Sequence, residues 1–178
     1  MYVYIYDAVT EKRKNHKNII NLEKKITDLG LGGKIIRLQG INNIEKIIQD
    51  ETKHGVKTIV AVGTDYTLHK TLNAVLKNSE KTPVIGIIPL DKKNNLIAQS
   101  LGLTSIEQSC DALLSRRIEK INVGKIDKYY FLSELEVKGE NNEIKIGDNY
   151  SIEVQKPCEI KIINLPLSKD LAKKIKIN

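Results

Sequence analysis

The chain has 178 residues and a formal net charge of +7, with 40% of its residues hydrophobic and 29% charged. A chain of this length suits one domain, or one domain with a small appendage, and buries about 70% of its unfolded surface without disulfide or metal staples. The longest apolar runs are far too short to cross a bilayer, and Met1–Asp7 reads as a strand without the basic flank of a signal peptide. Cys110 and Cys158 stand far apart, with no CxxC or Cys/His cluster, the pattern of a reduced, cytoplasmic protein. The positive charge can attract phosphates, nucleic acid or anionic lipid headgroups. The lysines are nevertheless spread along the chain, as in a face that only keeps a protein in solution.

Tyr2–Tyr6 is a short β-rich run. From Lys17 to Leu29, residues Ile19, Ile20, Leu22, Ile26 and Leu29 recur at helical spacing, and Gly30, Gly32 and Gly33 end the stretch. Lys34–Leu38 is the next strand candidate. Asn42–Glu51 carries Ile44, Ile47 and Ile48 on one helical face, with Asn42 or Asn43 as cap and Gly55 closing it. Thr58–Val62 is a continuous apolar strand, Leu68–Leu76 a helix, and Val84–Ile88 a buried strand between Pro83 and Pro89. Asn95–Leu101 reads as a helix stopped by Gly102, and Ser105–Leu114 as another, capped by Thr104. The core residues are mostly Ile, Leu and Val, with one Phe and no Trp. Aliphatic strands alternating with helices predict an α/β fold, a Rossmann-like parallel sheet with flanking helices.

After Arg116 the pattern changes. Glu119–Gly124, Tyr129–Lys138, Glu143–Ile146, Ser151–Gln155 and Glu159–Asn164 are strand-like and separated by short Gly/Asn turns, which implies antiparallel hairpins. The division is an α/β domain over 1–116 and a small β-rich second domain over 117–178. An exposed hairpin edge in the second part calls for a partner, a homo-oligomer among the choices.

Two segments carry chemistry. The first runs from Val60 through Gly63, Thr64, Asp65, Tyr66 and Thr67 to Leu68; the second runs from Gly86 through Pro89, Leu90, Asp91, Lys92, Lys93 and Asn94 to Asn95. Both lie where an apolar strand gives way to a helix. Ligands of open parallel sheets bind there, and helix N-termini offer N–H groups to phosphate. Plainer readings stand beside this one. Asp65, Asn94 and Asn95 are also good helix caps, Lys92 and Lys93 suit a solvated turn, and Tyr66 suits a packed or half-exposed ring. His16, His54 and His69 are isolated, lack metal-ligand spacing and read as surface residues.

In order and spacing the two segments resemble the diacylglycerol kinase catalytic domain family of lipid kinases, with NAD kinases as more distant relatives. The family's Gly-Gly-Asp-Gly-Thr turn corresponds to Gly63, Thr64, Asp65, Tyr66 and Thr67. Its Pro-Leu-Gly-Thr-Gly-Asn turn corresponds to Pro89, Leu90, Asp91, Lys92, Lys93 and Asn94. Ala98, Leu101–Leu103, Val123–Gly124, Tyr130–Leu132 and Asn73–Leu76 fit the pattern as well, so that the likeness covers residues 1 to about 137. It implies a nucleotide-binding α/β domain with ATP and Mg²⁺ as cofactors. Gly63, Thr64, Asp65, Thr67, Lys92, Lys93 and Asn94 would hold the nucleotide, and Asp65 would serve the metal. The implied reaction is phosphoryl transfer to a lipid hydroxyl at an anionic membrane surface.

The departures have physical meaning. Thr64, Tyr66, Asp91 and Lys93 stand where the family has glycines, whose freedom lets the backbone approach a phosphate. Asp91 repels phosphate unless it is paired, while Lys92 and Lys93 supply positive charge. No segment matches the family's catalytic-base motif; Glu134, Glu136 and Asp148 are the acidic candidates, and the catalytic residues stay unassigned. The alternative reading is therefore a catalytically inactive binding or assembly module. Nucleic acid is not an expected partner, since no recognition motif or stacking platform is present.

Overall fold

The pleat of the first strand sets out the whole architecture. In β1 (Tyr2–Tyr6), alternate side chains point to opposite faces. Tyr4 and Tyr6 are buried on one face with Val60, Val62 and Ile88, and Val3 and Ile5 on the other with Ile59. Both faces must therefore be covered, and helices cover them. The computed structural model describes residues 1–7, 10, 13–38, 43–78, 82–91, 94–139, 142–146 and 150–165. In chain order, β1 is followed by a 3-10 turn (Arg13–Asn15), α1 (His16–Asp28), β2 (Gly33–Arg37), α2 (Ile44–Lys53), β3 (Thr58–Gly63), α3 (Asp65–Asn78), β4 (Val84–Pro89), α4 (Leu96–Ser100) and α5 (Ile106–Leu114). The strands form a parallel sheet of order β2-β1-β3-β4. This is the α/β arrangement expected from the sequence.

Leu22 and Ile26 of α1 and Cys110 of α5 pack on the Tyr4/Tyr6 face. Ile48 of α2, with Ala74 and Val75 of α3, packs on the Val3/Ile5 face. Burial at this density is the main stabilising force, at roughly 1.5–3 kcal/mol for each large aliphatic side chain. Two tyrosine hydroxyls on the α1 side find acceptors, Tyr4 donating to the Leu31 carbonyl at 2.6 Å and Tyr2 to that of Leu113 at 3.2 Å, while the buried Tyr6 hydroxyl has no hydrogen-bond partner among the described residues. Among the described residues no helix is long and apolar enough to cross a membrane.

Caps fix the helix starts. The Asn43 side chain accepts the N–H groups of Glu45 and Lys46, which settles one choice the sequence left open; Asn42 lies outside the described residues. At α5 the cap is Ser105, which accepts from Gln108 N–H, rather than Thr104. The Gln108 side chain instead accepts the N–H and hydroxyl of Thr104, each at 2.8 Å, so Thr104 sits one residue outside the helix.

The C-terminal part consists of antiparallel pairs: β5 (Gly124–Ile126) with β6 (Tyr129–Phe131), β7 (Glu134–Gly139) with β10 (Cys158–Ile163), and β8 (Asn142–Ile146) with β9 (Tyr150–Val154). The strand expected over Glu119–Gly124 is extended coil up to Val123, with Ile118, Ile121 and Val123 exposed. Its apolar side chains find no partner strand among the described residues. The single run expected over Tyr129–Lys138 is broken at Leu132–Ser133, where Leu132 turns inward to pack with Ala61, Leu68, Leu72 and Ile97. Asn73 on α3 fastens this part to the sheet domain. Its Nδ2 donates to the Tyr130 carbonyl and its Oδ1 accepts from Tyr130 N–H, both at 2.9 Å, so the side chain stands in for a neighbouring strand.

Candidate functional site at the carboxyl edge of the sheet

From β1 the chain passes to β2 on one side and later to β3 on the other. The turns leaving β1 and β3 therefore flank a topological switch point, the place where open α/β sheets bind ligands. Asp7 ends β1. Its Oδ2 accepts from Thr67 Oγ1 in the first turn of α3 at 2.8 Å, and the same Oγ1 accepts from Thr64 N–H at 3.2 Å. Gly63 makes that approach possible. It has φ +155°, and a Cβ on it would lie 2.5 Å from Thr67 Oγ1.

The second turn joins the first directly. The Gly63 carbonyl accepts from Leu90 N–H at 3.0 Å and from Asn95 Nδ2 at 2.9 Å, and Asp65 N–H donates to the Asn94 carbonyl at 2.8 Å. Asn95 is 1% exposed, and its Nδ2 also reaches the Asp91 carbonyl; among the described residues its buried Oδ1 has no hydrogen-bond partner. The Asp65 carboxylate leans across to α4, where Oδ2 accepts from Leu96 N–H at 2.7 Å and Oδ1 from Ile97 N–H at 3.2 Å. Asp91 is paired: its Oδ2 meets Lys14 Nζ at 3.2 Å and Asn94 Nδ2 at 3.1 Å. Tyr66 points outward, 61% exposed, and does not fill the junction.

Electrostatics follow from this packing. Burial raises the Asp65 pKa above the ordinary carboxylate value, against the opposing pull of the Ile97 and Leu96 N–H groups and of His69. Burial lowers that of His69, opposed by Asp65 and by a hydrogen bond to the Tyr130 backbone. His69 is thus half-buried between α3 and β6, and not the surface residue its isolation in the sequence implies.

The structure brings Gly63, Thr64, Asp65, Thr67 and Asn94 together at one junction. Lys92, Lys93 and Asp148 lie outside the described residues. Glu134 and Glu136 pair with Lys161 and Lys138 on the surface of β7, away from the junction. Sequence reasoning passed over Asp7 and Lys14, and weighed Asn95 as a helix cap, whereas its side chain makes no cap hydrogen bond and ties the two turns together instead. For Asp7 the signal was present, as the first polar residue after an apolar strand, the same position Thr64 holds after β3.

Two hollows lie against α1. One of about 310 Å³ is lined by Thr10, His16, Ile19, Ile20, Glu23 and Arg37. It connects to Asp7 through Thr10, whose N–H and hydroxyl both donate to the Asp7 carbonyl. The other, of about 210 Å³, lies beside Pro89, Leu90 and Asp91, against Asn18 and Asn21 of α1 and the start of α5. The first combines an isoleucine wall with the Arg37 guanidinium, which is held by the Glu23 carboxylate at 2.6 Å; an apolar wall beside a cation suits a base and its phosphates once that pair opens. A divalent cation fits less well. Both Asp65 oxygens are engaged by α4, and no group of three or more His, Cys, Asp or Glu gathers among the described residues.

Comparison with known proteins agrees with this fold. The profile described as diacylglycerol kinase catalytic domain matches residues 2–126. A solved diacylglycerol kinase from Bacillus anthracis str. Sterne superposes with TM-score 0.64 at 18% identity, covering 76% of this chain and 46% of that one. A protein assigned as one from the same organism gives 0.64 at 19%, covering 76% and 47%. The chain thus spans about half the length of these solved relatives, and likeness at such identity speaks to fold alone. No curated protein matches the chain. With the profile covering well over half its length, the chain belongs to the diacylglycerol kinase catalytic domain family.

Proposed function

We propose that the chain binds a nucleotide at the carboxyl edge of the sheet, over the junction of Gly63–Thr67 with the turn from Asp91 to Asn95. The observation that carries this reading is that the two turns meet at the switch point, joined by Asp65 N–H to Asn94 and by Leu90 N–H to Gly63. Arg37, which pairs with Glu23 at 2.6 Å, and His16 line the hollow next to Thr10 and would meet phosphate oxygens there, with Ile19 and Ile20 against the base. ATP bound there would supply a transferable phosphoryl group, and a lipid hydroxyl is the acceptor that family membership favours. Lys92 and Lys93 belong to the same proposal as cationic neighbours of the phosphates.

The chain's own residues support positioning more than chemistry. Asp7, Thr64 and Thr67 lock the first turn, Asn95 ties it to the second, and Asp65 holds α4 in place. Phosphoryl transfer also needs metal and an oriented acceptor, and the engaged state of Asp65 gives Mg²⁺ no ready ligand set. That observation favours a second reading, a family member that binds without turning over.

A thermal-shift panel of ATP, ADP and GTP, with and without Mg²⁺, tests the first reading. A rise in Tm with at least one nucleotide, reduced in Arg37→Ala, is expected; a flat panel at millimolar nucleotide refutes it. Phosphate transfer to diacylglycerol in mixed micelles by the stabilised complex would overturn the second reading.

A further inference from the structure

The exposed side of α3 carries a feature that the nucleotide site does not use. Tyr66, Lys70, Asn73 and Lys77 follow at three- and four-residue spacing, so they form one stripe along the helix. From Tyr66 to Lys77 it runs roughly 16 Å at the helical rise. Asn73, at its middle, grips the backbone of β6, and this brings the β5–β6 hairpin alongside. The stripe becomes a surface of tyrosines with lysines laid over them. Lys70 Nζ stands 4.4 Å from the Tyr66 ring centroid, Lys77 Nζ 4.7 Å from that of Tyr129, and Lys125 Nζ 5.7 Å from that of Tyr130. Tyr66 is 61% and Tyr129 62% exposed. Aliphatic side chains extend the surface at both ends: Leu96, whose N–H is held by the Asp65 carboxylate, and Ile126 at the end of β5.

We propose that this face of α3 and the β5–β6 hairpin is the surface by which the chain lies on an anionic lipid bilayer. Tyrosine rings on a rigid frame sit at headgroup depth, and lysines beside them are drawn to anionic headgroups. The cation–ring contacts hold the ammonium groups in place beforehand. Lys77 pairs with Glu45 of α2, 3.5 Å from its Nζ, and Asp127 shares the hairpin turn with Lys128. Asp65 is turned onto α4 and does not offset these lysines. Nucleic acid is the poorer fit. Each ring already carries an ammonium group over it, which competes with base stacking, whereas exposed Leu96 and Ile126 suit the boundary between headgroups and acyl chains. The proposal rests on the lipid-directed reading of the fold for its setting, but not on nucleotide binding.

The test is sedimentation of the full chain with vesicles of phosphatidylcholine alone and with phosphatidylglycerol added, in the absence of nucleotide. Partition onto the anionic vesicles alone is expected, falling about five-fold for each of Lys70→Gln and Lys125→Gln and further for Tyr66→Ala. Lys17→Gln on α1 serves as the control for overall charge, and unchanged melting of each variant shows that it folds. No partition onto anionic vesicles overturns the proposal, as does a loss in Lys17→Gln equal to that in Lys70→Gln. Tighter binding to single-stranded DNA, weakened by the same variants, would reassign the surface to nucleic acid. Because nucleotide is left out, failure here leaves the thermal-shift result standing, and failure there leaves this one standing.

Discussion

Replacing Asp65 with alanine separates two roles that one carboxylate can play. In the structure Asp65 caps α4 from a distance, accepting from Leu96 N–H at 2.7 Å and Ile97 N–H at 3.2 Å. Loss of such a cap costs about 0.5–2 kcal/mol. Ile97 is 1% exposed, so its N–H would be left dry, which adds about 1–3 kcal/mol for an unmet buried donor. Burial of the carboxylate, visible in its raised pKa, is relieved in the variant and offsets part of this. A net loss of about 1.5–3 kcal/mol follows, or roughly 3–10 °C in Tm for a chain of this size. Asp65→Asn keeps one acceptor and should lose about half as much. The assay is urea unfolding of the ligand-free protein, read as a shift in midpoint at constant slope. If the ligand-free stability of Asp65→Ala lies within about 0.5 kcal/mol of the parent, the capping argument is wrong. Asp65 would then be free to serve a ligand or a metal.

Other expectations test neighbouring contacts. Asn73→Ala removes both hydrogen bonds to Tyr130 and should cost about 2–4 kcal/mol; hydrogen exchange should show β5 and β6 opening before the parallel sheet, and uniform exchange across both would contradict it. Gly63→Ala places a Cβ 2.5 Å from Thr67 Oγ1 at φ +155° and should cost about 2–4 kcal/mol. Pairing it with Thr67→Ala should recover part of that loss, and strict additivity in the double-mutant cycle would show that the clash is not the cause. His69 has its pKa lowered by burial, so folding favours its neutral form. Its contribution is whole above the unfolded value of 6.5 and is lost as pH falls through the lower folded value. His69→Gln should flatten that part of the stability–pH curve, and an unchanged curve would remove His69 as its source. Asp65, whose pKa is raised, acts with the opposite sign at lower pH, since folding there favours its protonated form.

The parallel sheet was legible because its signals are redundant. Each of Tyr2–Tyr6, Thr58–Val62 and Val84–Ile88 is apolar on both faces and is followed at short range by a helical stripe, and no other arrangement buries both faces. The antiparallel part was less legible because its strands are half-exposed and short. Glu119–Gly124 has the alternation of a strand, yet pairing needs a neighbour with a matching face, and alternation alone says nothing of whether one exists. His69 was misread for a related reason. One histidine on a polar helix face looks solvated until β6 is known to lie against it, and β6 is placed by Asn73, 57 residues before Tyr130. The junction was legible as two turns but not as a network, because the hydrogen bonds of Asp7 to Thr67 and of Asn95 to Gly63 join residues far apart in the chain.

The same network explains how a family turn can lose glycines and keep its shape. Glycine-rich turns leave backbone N–H groups open to an incoming anion. Here the anions are internal: Asp65 lies on the N–H groups that open α4, Asp7 accepts from the hydroxyl that holds Thr64 N–H, and Asp91 is neutralised by Lys14. Gly63 keeps its glycine because Thr67 must come close, whereas Tyr66 points outward, 61% exposed. A bound phosphate would therefore have to displace a carboxylate or settle beside it, toward Arg37 and His16. The two cases differ in solution. Displacement would make Asp65→Ala bind nucleotide more tightly than the parent, while settling beside it would leave affinity unchanged in Asp65→Ala and lower it in Arg37→Ala. Titration calorimetry of the two variants decides between them. Weaker binding in Asp65→Ala with full binding in Arg37→Ala would contradict both, and would return Asp65 to direct contact with the ligand.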